Sequence, residues 1–184
     1  MSKDWFREQW AKHDFIILDT ETTGLGRLDQ VCQIGIIDKR GGLLMDTMVK
    51  PTVPISSGAS RVHGLTDELV ARSLTFAEIY DDVFNIISGQ WVYVYNASFD
   101  KARIQASCAA HGLEDITKAC KWVDVMKPYA EFYGDWSSWR QSFTWQSLSN
   151  ACGQQGIGVV GAHDAVGDCL MTLMLMRKLG KTGH

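Results

Sequence analysis

The chain has 184 residues, 46% hydrophobic and 21% charged, a balance that suits one globular domain (residues 1–184) with a sizeable core. No run of 18 or more apolar residues exists, so nothing reads as a membrane span, and residues 1–12 lack the apolar stretch of a secretory signal. The net charge of −3 argues against a protein that coats long duplex nucleic acid, but not against one that grips a few terminal nucleotides.

In chain order, residues 15–19, 31–38 and 43–49 are short β-type runs, the last two joined by Gly41-Gly42, which predicts an antiparallel meander. After Pro51 and Pro54 the texture turns helical. Thr66 can cap a short helix that begins with Asp67 and Glu68, and Thr75-Phe76-Ala77-Glu78 has the form of a capping box opening a helix to about Ile87. The apolar run at residues 91–95 predicts a strand, followed by a helix over 98–110, a strand over 120–125, and helices over 145–152 and 164–179. The last is apolar almost all round and is expected to be buried. The fold class is α/β, with a mixed five-stranded sheet (a three-stranded antiparallel meander plus parallel strands) flanked by helices. Five cysteines, at positions 32, 108, 120, 152 and 169, are odd in number, widely spaced and free of any CxxC pairing. They read as reduced thiols of a cytoplasmic protein, not as disulfides or a zinc site.

The residues that carry chemistry are acids. Asp19 and Glu21 stand two apart at the end of Phe15-Ile16-Ile17-Leu18, and side chains so spaced on a strand share a face. Two carboxylates held together on a buried element repel one another, and a hard divalent cation such as Mg²⁺ or Mn²⁺ relieves the conflict. Asp100 falls in the first turn of the helix after the strand at 91–95, where the helix dipole favours an acid and where α/β folds place their sites. Asp168 lies inside the last helix among Val166, Cys169, Leu170 and Leu173, surroundings in which a charge seldom remains without a partner or a metal. His163 precedes that helix on an approach containing Gly158, Gly161 and Ala162, and an imidazole can take a proton near neutral pH. Taken singly, each has a plain structural reading: an acidic strand end facing water, a helix-start acid, a helix-cap histidine.

Taken together, Asp19-Thr20-Glu21-Thr22-Thr23-Gly24-Leu25, His63-Gly64-Leu65-Thr66, Tyr95-Asn96-Ala97-Ser98-Phe99-Asp100 and the His163/Asp168 pair resemble the DnaQ-like, DEDDh family of 3′–5′ exonucleases, in order and spacing over nearly the whole chain. In the related tyrosine variant a Tyr stands four residues before the last acid; here that position is Asp164, and His163 fits the histidine version. The resemblance implies a ribonuclease H-like fold. It also implies two divalent ions, Mg²⁺ or Mn²⁺, with Asp19, Glu21 and Asp168 on one and Asp19 shared with a second that Asp100 supports. His163 would be the general base. Thr22, Gly24, Leu25, His63, Asn96 and Phe99 would hold the 3′-terminal nucleotide. Two positions depart from the family: Tyr95 stands where His is usual, and Gln33 where many members have Glu.

The implied activity is hydrolysis of single-stranded or frayed 3′ ends to nucleoside 5′-monophosphates. DNA is favoured because the motifs look closest to the proofreading-subunit and exonuclease X branches; RNA trimming is the alternative that the ribonuclease T and oligoribonuclease branches suggest. A proofreading module docked to a polymerase and a non-catalytic nucleic-acid binder are the readings from another class. The full set of acids argues against the binder, and a chain ending soon after its last helix favours a stand-alone enzyme. A homodimer is left open. Seven aromatics between Tyr129 and Trp145 could stack on bases, cover the core or meet a partner chain.

Overall fold

A computed structural model describes residues 2–158 and 163–181; Gly161 and Ala162, expected on the approach to His163, lie outside them. The elements are α1 (Ser2–Lys12), β1 (Ile16–Thr22), β2 (Val31–Asp38), β3 (Leu43–Lys50), α2 (Ser57–His63), α3 (Asp67–Val70), β4 (Leu74–Thr75), α4 (Phe76–Ile87), β5 (Trp91–Val94), α5 (Ala97–Ala110), β6 (Lys121–Asp124), α6 (Met126–Tyr133), β7 (Trp136–Ser137), β8 (Ser142–Phe143), α7 (Leu148–Gln154) and α8 (Ala165–Lys181).

One mixed sheet has the order β4-β3-β2-β1-β5-β6. β1, β2 and β3 form the antiparallel meander, while β5 runs parallel to β1 and β6 parallel to β5. The class is therefore the expected mixed α/β one, but the sheet has six strands instead of five. The addition is β4, two residues paired in parallel with Val49 and Lys50. Two residues cannot display a period of two, and Thr75 already carried a helix-capping signal: its backbone N–H and hydroxyl both donate to Glu78, 2.7 Å each. Three helices also went unpredicted (α1, α2 and α6), together with the small β7–β8 hairpin.

Strand alternation sorts β1 into two cores. Ile16 and Leu18 join Ile34, Ile36, Val83 and Ile104 beneath α4 and α5. Phe15 and Ile17 join Ile37, Tyr93, Cys169 and Leu173 beneath α8. Asp19 and Glu21 continue the second set, so the same period of two that buries the strand aims both acids toward α8.

α8 can come close because of Gly35. Directly across from Asp19 in the register, a Cβ at this position would lie 2.7 Å from the carbonyl carbon of Ala165 and 2.8 Å from the nitrogen of Val166. Only a residue without a side chain lets the first turn of α8 sit on β2, beside the acids. At its other end α8 packs against α1, where Phe6 is fully buried and a Cβ on Gly180 would meet the Cβ of Trp10 at 2.8 Å. All five cysteines are free thiols. Among the described residues no helix is long and apolar enough to cross a membrane.

Candidate active site

Asp19 and Glu21 on β1 and Asp168 on α8 come together: one carboxylate oxygen from each lies within 4.8 Å of the others. Asp100 approaches from α5, on the opposite side of the strand. Its Oδ1 accepts hydrogen bonds from the Thr20 backbone N–H at 3.0 Å and the Thr20 hydroxyl at 2.8 Å. Thr20, between the two acids in sequence, therefore points to the other face and ties the third acid to the same strand.

The acids are crowded. Burial, then the charges of Asp100, Asp168, Glu21 and Asp164, hold the Asp19 carboxyl well above the usual range. Burial, with Asp168, Asp100 and Asp164 around it, pushes Glu21 up to about 8. Asp100 and Asp168 are raised by burial too, opposed by the Thr20 hydrogen bonds for Asp100 and by the His163 backbone and charge for Asp168. Among the described residues no lysine or arginine forms an ion pair with these four groups, and Asp168 Oδ1 is buried without a hydrogen-bond partner. Oxygen donors of this number and hardness, one of them orphaned, suit a divalent cation. The residues fit the group that the sequence implied.

His163 sits in the turn before α8, exposed, with a left-handed φ of 68°. Of the residues expected at the nucleotide, Thr22, Gly24, Leu25, His63 and Phe99 line one cavity of about 440 Å³, together with Thr20, Glu21 and Val62. Asn96 is not in that lining. It starts α5 with a left-handed φ of 73°, its Oδ1 accepting from the Ser98 hydroxyl at 3.1 Å. His63 Nε2 donates to the Thr22 carbonyl at 3.1 Å and its Nδ1 accepts from the Leu65 N–H at 3.1 Å. With both nitrogens spent on backbone, His63 offers the cavity its ring and not a hydrogen bond; burial keeps its pKa below the usual value.

Arg103 was missed from sequence, and the two departures from the family pattern, Gln33 and Tyr95, find structural partners. Arg103, 6% exposed, donates to the Leu25 carbonyl at 3.0 Å and lies 4.7 Å above the Phe99 ring, so it holds two walls of the cavity. Gln33 donates to Asp46 and Asp164. Tyr95, the departure from the family, is buried with its hydroxyl on the Gln146 carbonyl at 2.9 Å. The aromatic segment divides: Tyr129 and Phe132 pack into the α8-side core, while Trp136, Trp139 and Trp145 are 53%, 88% and 61% exposed.

Residues 16–176 match the family model RNase_T, described as Exonuclease. The chain belongs to this exonuclease family. A protein named "Uncharacterized exonuclease CP81", from Escherichia phage 186, is 35% identical over 182 residues, covering 96% of this chain and 93% of its own. The DNA polymerase III subunit epsilon of Buchnera aphidicola subsp. Schizaphis graminum is 35% identical over 124 residues; the match covers 61% of this chain and 53% of that subunit, about half its length. Among solved structures, exonuclease X in complex with 5′ overhanging duplex DNA superposes with a TM-score of 0.67 at 24% identity, covering 92% of this chain and 93% of that one. At that identity the likeness shows the fold alone.

Proposed function

We propose that this exonuclease removes nucleotides one at a time from the 3′ ends of single-stranded or frayed DNA, with Asp19, Glu21, Asp100 and Asp168 as ligands for two Mg²⁺ or Mn²⁺ ions and His163 as general base. One observation carries the reading: Glu21 belongs both to the carboxylate cluster and to the wall of a cavity of nucleoside size. A terminal nucleotide held between Leu25, His63 and Phe99 therefore presents its phosphate to the acids. When bound there, the cations supply Lewis acidity to water and countercharge to the phosphate. The chain's own residues do the rest. The cavity orients the terminal sugar and base, and His163 accepts a proton from the attacking water. The water oxygen bonds to phosphorus as the bond to the preceding 3′ oxygen breaks, leaving a nucleoside 5′-monophosphate and a new 3′ hydroxyl.

DNA is the substrate this reading favours, because exonuclease X was solved with duplex DNA and the epsilon relative is a DNA polymerase subunit. Residues 1–184 are read as one exonuclease domain of a cytoplasmic protein, which accords with five free thiols. The polymerase-docked reading rests on relatives named DNA polymerase III subunit epsilon, of which the Buchnera aphidicola match covers about half of that subunit.

The test uses 5′-labelled single-stranded DNA and RNA of matched sequence with Mg²⁺, Mn²⁺ or chelator. A ladder that shortens from the unlabelled end, faster on DNA, absent in chelator and absent for Asp19→Ala, is the expected result. Immediate release of labelled mononucleotide, or undiminished turnover by Asp19→Ala, would refute it.

A further inference from the structure

Gln33 is 5% exposed and every polar atom of its amide is used. Nε2 donates to Asp46 Oδ1 on β3 at 3.0 Å and to Asp164 Oδ1 at 2.8 Å, while Oε1 accepts from the Ala165 backbone N–H at 3.4 Å. Asp164 in turn caps α8, its Oδ2 accepting from the Gly167 N–H at 3.2 Å and its carbonyl accepting from the Asp168 N–H at 2.9 Å. One side chain thus ties β3, the cap and the first helical residue to the centre of the sheet, opposite Glu21 in the register.

The residue immediately before this anchored cap is His163, held at a left-handed φ of 68° that a residue with a Cβ adopts only under strain. Such a conformation persists only where the surroundings over-determine it. On one side of His163 the Gln33 amide holds the Asp164 side chain and the Ala165 backbone N–H, and the His163 backbone itself bonds to Asp168.

We propose that Gln33 is a positioning residue for hydrolysis: by bonding Asp164 and Ala165 it sets where His163 stands relative to Asp19, Glu21 and Asp168. The amide is what this site requires. A carboxylate at position 33 would turn acceptors toward Asp46 and Asp164, and an apolar side chain would leave both without this donor. The inference rests on the reading of His163 as the base, and its test separates the two.

Gln33→Leu is expected to lower kcat about 10- to 100-fold, the usual cost of losing an orienting partner, with KM within about threefold of wild type. In a His163→Ala background the same change should cost less than about threefold, because the group it positions is gone. Hydrogen–deuterium exchange of the peptide spanning 163–170, measured in chelator, should accelerate in Gln33→Leu while peptides from α4 do not change. Should Gln33→Leu fold poorly, a swap replaces it: Gln33→Glu alone is slow, and Gln33→Glu with Asp46→Asn and Asp164→Asn recovers to within about threefold, since the two new amides donate to the new carboxylate.

Equal losses in both backgrounds would make Gln33 merely structural and overturn the proposal. So would a normal kcat for Gln33→Leu beside a slow His163→Ala, or a swap that recovers nothing. If His163→Ala turns over like wild type, the base assignment fails first and the positioning role falls with it.

Discussion

Replacing Glu21 by glutamine should make the metal-free protein more stable while destroying its activity. Glu21 is 9% exposed and shares its corner of the sheet with Asp19, Asp168 and Asp100. In the folded chain its carboxyl is raised from 4.5 to about 8. A carboxyl raised by folding favours the native state below its unfolded value and opposes it progressively as pH rises to the folded value, because the native state keeps a proton that the unfolded state has released. From 4.5 to 8, at 1.36 kcal/mol per unit, the ceiling is on the order of 5 kcal/mol. Water reaching the partly exposed Asp19 and Asp168, and relaxation around them, bring the realised gain to about 2 kcal/mol. For a chain of this length that is roughly 4–8 °C in Tm. Calorimetry in chelator at pH 5, 7 and 9 would show the gain of Glu21→Gln grow with pH, from near zero at pH 5. Added Mn²⁺ should raise Tm of the wild type and much less that of the variant. A gain that is absent at pH 9, or larger at pH 5 than at pH 9, would refute the argument that crowded, buried charge dominates this site.

Thr20→Val removes the 2.8 Å hydroxyl bond to Asp100 while keeping the backbone one; it should cost about 1–2 kcal/mol in urea unfolding and reduce kcat more than KM. Gly35→Ala forces a methyl into the backbone of Ala165 and Val166, so it should cost about 1–3 kcal/mol and lower turnover at least tenfold by lifting α8 away from Asp19. Phe6→Ala, at a side chain with no exposure, should cost about 3 kcal/mol in thermal unfolding yet leave kcat near wild type at 20 °C, since α1 packs on the end of α8 remote from Asp168.

The part of the site that sequence could reveal is the part encoded by local period. Strand alternation placed Asp19 and Glu21 on one face, and apolar neighbours marked Asp168 as a charge in need of company; the structure brings all three within 4.8 Å. What stayed hidden depends on partners far along the chain. Thr20 meets Asp100 80 residues away, Arg103 meets Leu25 78 away, and Gln33 meets Asp164 131 away. Nothing in a threonine, an arginine or a glutamine announces such a partner. The meander and the large helices were legible from their periods, whereas β4 has two residues and α2 no buried residue at all. α1 keeps few apolar positions, and their value appears only when Phe6 and Trp10 meet α8. The aromatic stretch at 129–145 illustrates the limit well: composition alone could not separate Tyr129, which is core, from Trp139, which is almost fully exposed.

The most direct test of the carboxylate centre is a crystal grown with Mn²⁺ and examined by anomalous scattering at the manganese edge. An anomalous peak bounded by Asp19, Glu21 and Asp168, lost in Asp19→Ala crystals, is the predicted result. Manganese bound elsewhere while those three carboxylates stay bare at millimolar concentration would contradict it.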